Sequence, residues 1–342
     1  MVATRYEAPP RPHDDPSEPP VLSGWGRVLG LPVALSLLVG LLLAAFAWPA
    51  VTAAPHELPI GVVGPAAAVQ QVQGALQAKQ PGAFHIQPYG SAAEARAAIE
   101  SREIYGAVVV EQPPTLLVAT GASPAVAQLL TQVAGAMAAQ SGAGQSSAGP
   151  TVTDVVPGAA GDPHGIGVAV LALPLVLGGL LSGVALRRLV RGRGRLACSA
   201  LLLSLLAGLA SATILNLWLN ALGASFWTDA AVITFGFAAV SFATLGAGTL
   251  AGNAGAGLVL ASLLLVGNPL SGLSSAPELL PVGWSAVGQA FPLAATGQLL
   301  RSEAFFDWAA AGRPALVLSV WLATGLFLFV LGALRRSRRP AA

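Results

Sequence analysis

Charge is what this chain has least of. Only 9% of its 342 residues are charged while 54% are hydrophobic, against about 25% charged in an average soluble domain, and the mean hydropathy is +0.70. A soluble globular protein is excluded; most of the chain is suited to lipid. Cysteine is nearly missing too. The lone Cys198 excludes an internal disulfide framework, and its place in an apolar run reads as a small buried residue. Histidine is sparse: His13, His56, His85 and His164 lie far apart with no cysteine or carboxylate at ligand spacing, so no metal site is expected. Lysine is confined to Lys79, so the chain has no G-x-x-x-x-G-K-[ST] loop and no P-loop ATPase site of its own. H-E-x-x-H and G-x-S-x-G are absent as well. No catalytic, cofactor-binding or metal-binding residue is therefore expected, and the reading is of a non-enzyme. The net charge of +2, from 17 basic and 15 acidic residues, is too small to argue for nucleic acid.

What is present falls into blocks. Residues 1–28 hold Pro9, Pro10, Pro12, Pro16, Pro19 and Pro20 among mixed charges and read as a disordered tail. Residues 29–52 are apolar for the length of a bilayer core and read as a first transmembrane helix. Ala50, Ala53 and Ala54 raise the alternative of a cleaved signal peptide, but the run exceeds the usual h-region of about 7 to 15 residues, so a retained span is expected. Residues 53–164 gain acids and bases and alternate strand with helix. Leu58 to Val63 and Phe84 to Tyr89 read as strands, and so do the runs within Tyr105 to Val110 and Thr115 to Ala119. Ala66 to Lys79, Ala92 to Arg102 (opened by a Ser91/Glu94 capping box) and Pro124 to Gln140 read as helices. An α/β domain is expected here, with a flexible Gly/Ser/Ala loop at 141–150 and a last strand from Val152 to Val156.

From 165 to 335 apolar runs dominate: Ile166 to Leu186, Ala197 to Leu219, Ala230 to Leu250, Ala254 to about Asn268, and Ala315 to Leu334. The fourth is short for a span. Arg187, Arg188, Arg191, Arg193 and Arg195 crowd one loop, and Arg335, Arg336, Arg338 and Arg339 follow the last run. Positive residues stay on the cytoplasmic side, so both clusters share a side only if the short run crosses. The expectation is an α-helical polytopic membrane protein with six transmembrane helices and an inserted extracellular α/β domain. Both termini, including a basic tail at 336–342, are then cytoplasmic. The spans as read contain no Asp, Glu, His, Lys or Arg, which argues against a proton- or ion-coupled pump.

Few residues stand out for function. The five arginines from Arg187 to Arg195 are either a topology signal or a contact surface for an acidic partner or anionic headgroups. Ser211, Asn216, Asn220 and Asn253 are candidates for lining a pathway, although hydroxyls and amides in spans commonly serve as interhelical glue. The G-x-x-x-G spacings at Gly179/Gly183 and Gly248/Gly252 suggest close helix packing. Residues 269–313 are too apolar for open water and too broken by proline to span. An outer interfacial loop is expected, shaped by Asn268, Pro269 and Pro281 and anchored by Trp284, Phe291, Phe305, Phe306 and Trp308.

Several stretches carry a family likeness: Leu58-Pro59-Ile60-Gly61-Val62-Val63, the run Ala93 to Ile99 leading into Tyr105-Gly106-Ala107-Val108-Val109-Val110, Asn268-Pro269-Leu270-Ser271-Gly272, and Glu278-Leu279-Leu280-Pro281. With one span before the α/β block and five after it, the chain resembles the membrane subunits of type-2 ABC exporters with a large extracellular domain after the first span. It is also similar to the phage-infection-protein-like membrane proteins. The resemblance implies a homodimeric permease in a bacterial plasma membrane, in contact with membrane lipid. A separate ATP-binding subunit would drive it, and the cargo would be an amphipathic or lipidic substrate moved outward. It also implies that the loop Arg187 to Arg195 meets the ATPase. The alternative left open is a non-transporting scaffold or receptor whose extracellular domain binds a ligand or a secretion component.

Overall fold

The computed structural model describes residues 25–110, 114–140, 151–223 and 225–337. The expected loop at 141–150, residues 1–24 of the expected N-terminal tail and residues 338–342 of the basic tail lie outside the described residues. The chain is mostly helical and divides into two units, 1–44 and 45–342. The first unit contains the opening part of helix α1 (Trp25–Val51), which begins four residues earlier than expected and exposes Leu31, Val33, Leu35 and Leu37. Among the described residues five helical stretches are long and apolar enough to cross a membrane: Leu29–Val51, α5 (Ile166–Leu189), α6 (Arg193–Trp218), α7 (Phe226–Gly267) and Gly312–Arg335 within α10 (Gly312–Ser337). A multi-pass helical membrane protein fits this architecture.

In the second unit α7 is the central post, and the others approach it through small residues. A Cβ added at Gly179 of α5 would stand 2.7 Å from Val240 Cγ1, and one at Gly183 would stand 2.9 Å from Thr244 Cβ. The Thr244 hydroxyl donates to the Gly179 carbonyl at 2.9 Å. This is the close backbone approach that a small-x-x-x-small spacing permits. Gly208 brings α6 against Thr234, and Gly325 and Gly332 bring α10 against Phe242 and Thr249.

α7 is not one rod. Ala251 (φ −119, ψ 15) and Gly252 (φ 69, ψ −153) break its helical path, and only glycine adopts the second conformation readily. Leu260 then lies against Gly179 beside Val240 and Thr244, and Leu263 packs with Val176, Val240 and Leu293. The arm 253–267 thus folds back along the arm 226–250. The short apolar run Ala254 to Asn268, whose length left open whether it crosses, makes up this second arm. Contacts fix a common end for the arginines: Arg187 meets Gly248 near the break, and α10 runs alongside the first arm to Gly332, opposite Leu250.

The other end carries a five-stranded sheet in the order β2-β1-β3-β4-β5, formed by β1 (Leu58–Val63), β2 (Phe84–Tyr89), β3 (Gly106–Val109), β4 (Thr115–Val118) and β5 (Thr151–Asp154). Only the β3/β4 pair is antiparallel. Helices α2 (Ala66–Lys79), α3 (Ala92–Glu100) and α4 (Pro124–Gln140) cover it, with Val72, Leu76, Ile99, Val126 and Leu130 buried. The capping box forms in shifted register: Ser91 Oγ accepts from Glu94 N–H at 3.2 Å, while the Glu94 carboxylate accepts from Gly90 N–H at 2.9 Å.

Residues 269–313 correct the expectation of an interfacial loop. They contain α8 (Trp284–Gln289) and α9 (Pro292–Phe306), and Leu293, Ala294, Ala295, Leu299 and Leu300 of α9 are buried in the helical core. Phe306 is 5% exposed and packs with Ile99 and Val109 under the sheet, with Phe305 beside it. The reason is the helical period, which joins residues that prolines separate in sequence into one apolar face. Of the expected anchors, Trp284 and Trp308 remain exposed, Phe291 stacks on Trp321, and Trp48 meets Trp284 edge-on at 5.5 Å. Ala276 and Leu279 complete the sheet's second core, so the sheet and this segment bury each other.

Candidate functional site at the junction of sheet and helices

Polar side chains concentrate where the sheet sits on the helices. Arg102 follows α3 with φ 62, a left-handed conformation that turns its side chain away from the helix it ends. Its guanidinium donates from Nη1 to the Gln298 carbonyl (3.2 Å) and Ser302 Oγ (2.5 Å), and from Nη2 to Gln298 Oε1 (2.7 Å). It also lies 5.1 Å from the centre of the Phe306 ring. Three residues on, Tyr105 OH donates to Glu278 Oε2 at 2.7 Å. Arg301, buried on α9, donates to the Leu273 carbonyl. Arg102 and Tyr105 of the sheet layer therefore meet Glu278, Gln298, Ser302 and Phe306 of 269–313 in one seam.

Burial sets the electrostatics. It lowers the Arg102 guanidinium below its ordinary value, partly offset by Tyr105 and Glu278. Burial and the charge of Arg102 bring Arg301 down to about 10. Burial together with Glu278 raises the Tyr105 phenol well above its usual value. At neutral pH both arginines therefore remain cationic and the tyrosine remains a hydrogen-bond donor. Beside the seam lies a cavity of about 340 Å³, lined by Arg102, Tyr105, Glu278, Gln289, Gln298 and Arg313 among others. This set can hold a polar head and join two structural layers. It does not assemble a nucleophile with a base.

The residues singled out in the sequence are dispersed. Arg188, Arg191, Arg193 and Arg195 are exposed around the turn at Gly192 (φ 94). Arg187 differs: half-buried, it donates to the Gly183 carbonyl at 3.1 Å and fills the space above Gly248. Ser211 and Asn216 lie on α6 towards the sheet, Asn220 accepts from Gly161 N–H through its carbonyl at 3.2 Å, and Asn253 is exposed beside the break in α7. These four do not converge on a common path. Asn268 and Pro269 border a cavity of about 450 Å³ with Phe46, Pro49 and Leu273. Pro281 is half-buried in the bend before α8, and Trp284 opens that helix. Cys198 is exposed on α6 rather than buried, because the apolar run that holds it turns that face outward.

The seam residues were missed because each is ordinary in sequence. The available signal was the two charges of Arg301 and Glu303, on either side of Ser302, inside an otherwise apolar helix. Asp229 also corrects the sequence reading. It lies just ahead of the apolar run Ala230 to Leu250, yet α7 starts at Phe226 and places Asp229 fully buried in its first turn, where an acid complements the helix dipole. Among the described residues no three His, Cys, Asp or Glu side chains gather as a metal site would require. No family model, curated protein or solved structure matches this chain.

Proposed function

We propose that the chain is the membrane-spanning permease subunit of an ABC-type exporter, driven by a separate ATP-binding chain and moving an amphipathic or lipidic substrate outward. The observation that carries this reading is the reversal of α7 at Gly252. Counted as two passes, it gives six crossings, and the loop Arg187 to Arg195 and the end of α10 then share the cytoplasmic side, as their arginines require. The sheet layer stands on the opposite, outer face of a bacterial plasma membrane. The exposed Arg188, Arg191, Arg193 and Arg195 meet the ATPase, since guanidinium forks suit carboxylates on a partner. The permease works as a homodimer. The outer sheet layer, fastened through Arg102 and Tyr105, follows movements of α9 and controls access to the junction cavity.

Affinity purification of the full chain in mild detergent tests the reading. A P-loop ATPase co-eluting in stoichiometric amount is the expected result. Recovery of the chain alone, or with a secretion component and no ATPase, replaces the permease with a scaffold or receptor.

A further inference from the structure

The cavity beside the seam lies at the edge of a span. Among its lining residues, Arg313 and Pro314 open the stretch Gly312–Arg335, which is long and apolar enough to cross a membrane. Hydrocarbon therefore ends close to Arg313. Exposed indole rings mark the same boundary: Trp308 lies in the bend before α10, and Trp284, next to the lining residue Ser285, meets Trp48 near the end of the first span. Tryptophan settles at the headgroup level of a bilayer, so the cavity stands among headgroups. The bend itself holds Trp308 and Ala310 in left-handed conformations (φ 67 and 57), and backbone strain of this kind clusters at ligand sites.

The lining carries an excess of positive charge. Arg102 and Arg313 stand against one carboxylate, Glu278, to which Tyr105 already donates. Arg102 bonds Gln298 and Ser302 through Nη1 and Nη2, and its Nε meets no acceptor among the described residues. Arg313 is exposed and forms no hydrogen bond or ion pair with another described residue. It also belongs to the first turn of α10, where the helix dipole favours an anion. Beyond Arg313 the same face of α10 turns apolar. Leu316, Val320, Phe327, Val330 and Leu334 follow at helical spacing, and each is more than half exposed.

We propose that the junction cavity binds the phosphate of an anionic phospholipid, with Arg313 and Arg102 taking the phosphate oxygens and the acyl chains lying along the exposed stripe of α10. Guanidinium forks match phosphate geometry. A volume of about 340 Å³ is at the small end of ligand pockets and suits a head without its chains. Charge selects among heads: a zwitterionic lipid brings an ammonium group that the two guanidinium groups repel, whereas an anionic one brings none. The site deepens the proposed function by naming the head of the amphiphile. Its role as the place that receives cargo rests on the permease reading, and the binding does not.

The test uses the full chain in mild detergent, with short-chain phosphatidylglycerol as the probe and phosphatidylcholine of the same chain length beside it. Native mass spectrometry counts the bound lipid. The expected result is saturable binding of phosphatidylglycerol, about tenfold tighter than that of phosphatidylcholine. Arg313→Gln weakens it by about tenfold or more, and Arg313→Lys recovers most of the loss. Arg335→Gln, at the far end of the same helix, leaves it unchanged. Arg313 has no partner to lose, so the lipid-free Tm of its variants stays at the wild-type value. Equal binding of the two lipids, or a loss in Arg335→Gln that matches Arg313→Gln, overturns the proposal. So does inorganic phosphate that binds through Arg313 when phosphatidylglycerol does not, which assigns the cavity to a free anion. Binding is read without ATP or a partner, so a chain that binds this lipid and moves none upholds the site and overturns the permease reading alone.

Discussion

Replacing Arg102 by Ala removes three hydrogen bonds and a ring contact from the seam at once. Hydrogen bonds to a charged group are worth about 1.5–3 kcal/mol each by deletion, and a cation–π contact about 0.5–2 kcal/mol depending on desolvation. The sum overstates the loss, because bonds sharing one guanidinium are not additive and the abandoned Ser302 and Gln298 lie beside a cavity that water can enter. A net cost of about 3 kcal/mol is expected, localised to the junction. Arg102 also occupies φ 62, so Arg102→Gly loses the same contacts while relieving backbone strain and recovers about 1 kcal/mol. Hydrogen exchange on the full chain reads this directly. Protection of amides in α9 and in the turn after α3 falls by about two orders of magnitude in the Ala variant, with the Gly variant about fivefold better protected than Ala. Amides near the α7 break, far from the seam, stay unchanged. A change below about threefold in α9, or one spread evenly over all helices, refutes the idea that Arg102 fastens the two layers.

Four further outcomes are expected. Tyr105→Phe removes the bond to Glu278 and costs about 1–2 kcal/mol, read as a lower Tm in detergent. Gly252→Ala has open space around the new Cβ but forces an alanine to φ 69, ψ −153, so it costs about 1–3 kcal/mol from backbone strain alone, again read as Tm. Gly183→Leu drives a side chain into Thr244 and abolishes the folded monodisperse fraction in size-exclusion chromatography. In a Cys198→Ser background, Lys79→Cys is labelled by an impermeant thiol reagent on intact cells, while Arg191→Cys is labelled only after lysis; the reverse pattern inverts the topology.

The helices and strands were legible because each has a clear period. The seven strand and helix segments expected between Leu58 and Gln140 appear within a few residues of their expected ends. Charge placement called for an even number of passes between the arginine clusters, and the break at Gly252 divides α7 into two arms. What sequence could not supply was the third dimension of 269–313. Proline spacing made that stretch look like separate apolar pieces, whereas α9 runs unbroken from Pro292 and turns Phe306 beneath the sheet. The same gap hid the seam: Arg102 and Ser302 are 200 positions apart, and nothing local marks either as the other's partner. Asp229 was hidden in the same way, since it falls outside the apolar run and its partner Asn216 comes from another helix.

The central claim, ATP-driven movement of an amphiphile through this chain, is tested most directly in liposomes. The full chain and the ATPase that co-purifies with it are reconstituted with a fluorescent lipid, and the transfer of that lipid between leaflets is followed on adding ATP. The account predicts ATP-dependent transfer, with the ATPase lost from the complex and the transfer abolished when Arg191, Arg193 and Arg195 are all replaced by Gln. Wild-type complex that hydrolyses ATP without moving lipid or any amphiphile offered, or a triple variant that keeps both partner and transfer at low and high salt alike, contradicts it.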